Sequence, residues 1–217
     1  MLGIVRILIQ GKHHLSLTDV LRDCFAHFPQ KYQSDKQAVL ADVQAFVTSR
    51  IKTVFLEYQF RKDEIEASLA QSTGDIYDTF RRIDALHHFR SESPRFPLLF
   101  EVYKRAKGQL QGQVAKPFQR NALQEPAEKE LDRVLAEVES QFQTLLKQRD
   151  YSKAYDLMAE LQPPLAQLFL DVKILADDPK LRDDRIALLQ RVFAFFAQLV
   201  DFDKIQDAVY AEVLRET

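Results

Sequence analysis

Apolar side chains recur at every third or fourth position along almost the whole chain, which leaves little room for anything but helices. The clearest stripe is Leu131, Val134, Leu135, Val138, Phe142 and Leu145. At roughly 100° per residue these fall on one helical face. Val39, Val43, Phe46, Val47, Ile51 and Val54 make a second such stripe, and Leu181, Leu188, Leu189, Val192, Phe196 and Leu199 a third. Helix breakers are scarce, with 5 glycines and 8 prolines in 217 residues. The fold class expected is all-α.

Start and stop signals divide the pattern. Ser16 or Thr18, Asp35, Asp63, Asp75, Pro97, Glu125-Pro126, Asp150 and Asp178-Pro179 each stand where a helix should begin, as polar N-caps, first-turn acids or first-turn prolines. Gly74 is the expected end of the short helix from Asp63, by C-terminal glycine chemistry, and Pro163-Pro164 should break or kink the helix from Asp150. A last helix is expected from Asp203. The stretch "QGQVAKPFQRNALQEP" (111–126) has no clean period and reads as a connection. The expected organisation is therefore two helical bundles, 1–112 and 125–217, joined by a linker over 113–124. The first helix starts directly on an apolar stripe (Leu2, Val5, Ile9) with no cap before it, as expected of a segment from a longer polypeptide.

The net charge of −2 gives the surface as a whole no attraction for nucleic acid or membrane, so such a partner would need a local patch. No apolar run reaches the ~20 residues of a membrane span. Arg6 and the absence of a small-residue cleavage site argue against a signal peptide in "MLGIVRILIQG". The single cysteine, Cys24, excludes an intrachain disulfide, fits the cytoplasm, and is expected as a small core residue.

The sequence holds no phosphate loop, dinucleotide fingerprint, zinc spacing or nucleophile elbow, so no catalytic residue and no metal ligand is assigned. His13-His14 and His87-His88 are adjacent pairs; on a helix such neighbours point about 100° apart and cannot share an ion. Asp177 and Asp178 could serve acid–base chemistry, but Asp178 before Pro179 is better placed as an N-cap. One charge anomaly stands out. Residues 102–124 contain Lys104, Arg105, Lys107, Lys116 and Arg120 and no acid, a local charge of +5, with Tyr103 and Phe118 as aromatic faces for unstacked bases.

A second anomaly is Arg185, which falls inside an apolar stripe among several aspartates. A buried arginine requires a partner. Asp171 on the preceding helix and Asp177 or Asp178 at the turn are the expected ones, locking the hairpin. Arg182 lies about a quarter turn away, freer to face solvent.

Several stretches in collinear order resemble a known family: "LGIVRILI" (2–9), "YKRAKGQL" (103–110), "LQEPAEKEL" (123–131), "RDYSKAYDLMAEL" (149–161), "FLDVKILADDPKLRDDRIALL" (169–189) and "FFAQLVDFDKIQ" (195–206). Together they are similar to the C-terminal region of the bacterial glycyl-tRNA synthetase beta subunit. That region is of the helical anticodon-binding class related to the domain of arginyl-tRNA synthetase. The chain departs from the family at Leu168, Phe169 and Leu170, at Ala166, and at Lys107 and Gly108.

The resemblance implies a parent enzyme that joins glycine to its tRNA with ATP and magnesium, the adenylation site lying in the alpha subunit or an alpha segment. This chain would then be a non-catalytic, cofactor-free, cytoplasmic part that holds the anticodon arm. Its partners would be glycine tRNA and the alpha subunit, with no membrane and no DNA. Lys104, Arg105 and Lys107 would be the RNA contacts, with Arg182 beside them. The alternatives are a helical scaffold or subunit-interaction module, and a helical metal-dependent phosphohydrolase, whose histidine–aspartate ligand pattern is absent.

Overall fold

A computed structural model describes residues 2–28, 35–71 and 74–206. Its helices are α1 (Leu2–Gln10), α2 (Leu17–Ala26), α3 (Lys36–Glu57), α4 (Lys62–Leu69), α5 (Ile76–Glu92), α6 (Arg95–Leu110), α7 (Pro126–Gln148), α8 (Tyr151–Met158), α9 (Gln162–Asp171) and α10 (Pro179–Phe196). Among the described residues there is no strand, only an isolated bridge between Ser16 and Asp75. The all-α expectation holds.

The chain divides into two compact units, but not at the expected linker. Unit 1 comprises the residues up to His87 and the described residues from Asp203, and unit 2 runs from His88 to Phe202. The division falls inside α5. The expected boundary near residue 112 fails because α6 packs on α9 and α10 and so belongs to the second unit, as does the stretch 113–124.

In unit 1, Val5, Leu8 and Ile9 of α1 meet Val47, Ile51, Val54 and Phe55 of α3, with Phe60, Ile65, Ile76 and Ile83 completing the core. Ser16 caps α2 by accepting the Asp19 N–H. Asp75 caps α5 through the Asp78 N–H at 2.9 Å, and its other oxygen lies 2.8 Å from His14 Nδ1.

Three local expectations are corrected here. Val39 and Phe46 are exposed, whereas Val47, Ile51 and Val54 of the same stripe join the core and Val43 packs against it. Cys24 is exposed, because α2 buries Phe25 instead. Gly74 does not end α4, which stops at Leu69 with Ala70 still right-handed. Its φ of +88° lets its carbonyl accept the Leu17 N–H at 3.0 Å, and a Cβ there would stand 2.8 Å from Thr18 Oγ1. The helix expected beyond Asp203 lies largely outside the described residues; Phe202–Lys204 form a 3-10 turn.

Unit 2 is built around α7, against which α8, α9 and α10 pack. Leu131, Leu135 and Phe142 are its buried face, and Phe142 meets Phe195 of α10 at 4.6 Å between ring centroids. Each such side chain withdrawn from water contributes about 1.5–3 kcal/mol. Pro163 and Pro164 sit in the first turn of α9, so they begin a helix after a 3-10 turn over Ala159–Leu161 rather than kinking one.

Candidate nucleic-acid interface

On α6 the spacing Leu99, Tyr103, Ala106 turns one side to the core. Lys104 and Lys107 are therefore on the exposed side. Lys104 Nζ stands 5.2 Å from the Phe100 ring centroid, and Lys107 lies in the last turn, where the helix dipole favours a cation. Arg105 is engaged differently. Its guanidinium donates to the Phe169 carbonyl at 3.0 Å and lies 4.8 Å over that ring, clamping α6 to the end of α9. One of its donors is thus held by the protein, while the residue itself stays exposed.

Other parts of the basic segment are also committed. Gln190 on α10 accepts the Lys116 N–H at 2.9 Å and donates to the Val114 carbonyl at 2.9 Å, so residues 113–120 form a docked strap. Lys116 Nζ meets Asp183 at 2.9 Å, and Arg120 pairs with the buried Asp132 of α7. Arg191 shares Asp132, reaches Glu139 and covers the Phe118 ring at 5.0 Å. Tyr103 is buried, stacked on Phe193 at 4.6 Å, and cannot offer a face to a base. Lys116 and Arg120 of the +5 segment are thus paired within the unit, while Lys104 and Lys107 stand on the exposed side of α6.

Arg182, the fourth candidate, is half-buried near the start of α10. Arg185 is buried, as its place in the stripe implies, but its partners correct the expectation. Its Nε donates to Glu128 of α7 at 2.6 Å, and a terminal nitrogen donates to the Lys173 carbonyl at 2.8 Å. Asp171 instead accepts from Gln167 at 2.8 Å. Asp177 pairs with Lys173 at 3.1 Å, and Asp178 caps α10 through the Lys180 N–H at 2.8 Å. The reason is electrostatic economy: exposed aspartates at a turn are already solvated or capping, whereas Glu128, 1% exposed, needs a buried cation. Glu128 also accepts the Gln124 and Glu125 N–H groups at 2.7 and 3.0 Å, so one carboxylate caps α7 and ties it to α10.

Tyr103 meets Phe193 and Phe196 while Phe100 meets Phe202, so α6 runs antiparallel to α10. Lys107 therefore lies towards the end of unit 2 where α10 begins with Arg182. Arg105 at the close of α9 marks the same end. Lys104, next to Tyr103, is level with Phe193, eleven residues along α10 from Arg182 and about 16 Å of helical rise away, so the two are not brought into one cluster. Among the described residues no group of three His, Cys, Asp or Glu is placed to hold a metal, and no helix is long and apolar enough to cross a membrane.

Residues 100–205, nearly all of this helical unit, match the profile of the DALR anticodon binding domain. The DALR match begins within α6, confirming that α6 and the strap belong with α7–α10. Over 209 residues, 94% of its length, the chain is 34% identical to the glycine–tRNA ligase beta subunit of Anaeromyxobacter dehalogenans. The same subunit of Desulforamulus reducens is 29% identical over 206 residues, again 94% of this chain, and that of Acidithiobacillus ferrooxidans 29% over 210 residues, 95% of this chain. The chain spans about 30% of the length of each of these relatives. The resemblance to the beta subunit's C-terminal region thus extends beyond the DALR domain to unit 1.

Proposed function

We propose that this chain holds the anticodon arm of a glycine tRNA on behalf of a glycine–tRNA ligase and performs no bond-making itself. The observation that carries the reading is the coincidence of the DALR match with the compact helical unit whose α6 turns Lys104 and Lys107 to solvent. In this reading ATP and magnesium serve the parent enzyme at its alpha subunit, the second partner, and the setting is the cytoplasm. Affinity comes from counterions released as lysines approach phosphates, and selectivity from unstacked anticodon bases.

The test is a salt-titrated binding measurement of the chain with glycine tRNA. Lys104→Gln with Lys107→Gln should weaken binding several-fold and reduce the slope of log affinity against log salt by about 1 per lysine. A tRNA with a changed anticodon should bind the parent chain more weakly. Equal affinity for both tRNAs would overturn anticodon-arm recognition. Arg105→Ala, by contrast, is expected to lower thermal stability while leaving the salt slope in place.

A further inference from the structure

We infer that unit 1 carries a second RNA contact, a cleft that takes backbone phosphates without reading bases; it rests on the reading that the chain binds tRNA. The cleft, of about 650 Å³, is lined by Arg61, Lys62, Asp63, Glu66, Lys204 and Gln206. Every lining residue is charged or amide-bearing, which is unusual for a small-molecule pocket.

Its carboxylates are already satisfied by protein. Asp63, 7% exposed, accepts the Glu64 N–H at 3.0 Å with one oxygen and the Gln206 N–H at 2.9 Å with the other, and the Arg61 guanidinium stands 3.5 Å away. Glu66 is taken by Lys52 at 2.6 Å. Lys62 and Lys204 are exposed, and neither has a carboxylate partner among the described residues. The cleft is thus a positive spot on a chain of net charge −2, and an anion entering it displaces no existing ion pair.

Both lysines rest on fixed backbone. Lys62 opens α4, whose first turn is held by Glu64 accepting the Arg61 N–H at 3.0 Å. Lys204 stands two residues before the Gln206 N–H that Asp63 holds. With no aromatic side chain among the lining residues there is nothing for a base to stack on, and lysine ammoniums act on phosphates as point charges. The ligand class is therefore the RNA backbone, and the contact positions without specifying.

Lys62→Gln with Lys204→Gln, in the 217-residue chain, tests this by salt-titrated binding to glycine tRNA and to the anticodon-changed tRNA. The expected result is several-fold weaker binding of both by the same factor, and a salt slope reduced by about 1 per lysine. Lys62→Arg with Lys204→Arg should keep affinity and slope, which separates lost charge from lost fold. If the parent chain binds and the glutamine variant keeps its affinity and slope, the inference falls while the anticodon-arm reading stands. A loss confined to one of the two tRNAs also overturns it, since that would be base readout. If the parent chain retains neither tRNA at low salt, both readings fall.

Discussion

Replacing Arg185 by methionine would leave the Glu128 carboxylate buried with two backbone donors and no cation. Removing one partner of a buried pair costs about 3–5 kcal/mol, so a marked drop in thermal midpoint is expected. Adding Glu128→Gln should recover most of it, because an amide oxygen still accepts from Gln124 and Glu125 and carries no orphaned charge. A double-mutant cycle by denaturant titration measures the coupling. At this scale the sequence was legible only in part. The place of Arg185 in an apolar stripe announced its burial, and Asp178 before Pro179 announced a cap, because both are local signals. The partner Glu128 lies 57 residues away and locally looks like nothing more than a first-turn acid. Tyr103 was misread as a base-stacking face although its spacing from Leu99 and Ala106 already put it on the buried side.

The element most changed by folding is the connection before α7. Its irregular period is real, since residues 113–119 adopt no helix, yet it is held to α10 by both ends of one side-chain amide. Gln190→Ala should release it, raising amide exchange and protease cleavage over residues 113–119 while the thermal midpoint of the unit falls by little, about what one or two hydrogen bonds contribute, ~0.5–1.5 kcal/mol each. Composition could not reveal this docking. Lys116 and Arg120 look like surplus positive charge until Asp183 and Asp132 arrive from other helices. The helices themselves were legible to within a few residues, because caps such as Ser16, Asp35 and Asp150 and the stripe on α7 are encoded in adjacent residues. Elsewhere on α7, Arg133 holds the exposed Glu130 carboxyl below its ordinary range through a hydrogen bond, so this carboxyl keeps its charge to lower pH than an unpaired glutamate.

For the molecule as a whole, the sequence pointed to two helical bodies but placed their boundary at the irregular stretch, where composition changes. The boundary lies instead within α5, in a run of good helix with no compositional mark. Unit 1 is closed by a return of the chain, and Asp63 holds that return through the Gln206 N–H. Asp63→Ala should therefore destabilise unit 1 by about 1–3 kcal/mol, the range for orphaning a buried hydrogen-bonding group, seen as faster exchange at Gln206 and in α4 with the α7–α10 amides unchanged. This discontinuity also has a meaning during synthesis. The residues up to His87 leave the ribosome long before Asp203 does. At elongation rates of about 5–20 residues per second the wait is roughly 6–23 s. Through that interval the carboxylate of Asp63 has no Gln206 to receive, and unit 1 exists only as a nascent intermediate whose last contact has yet to be translated.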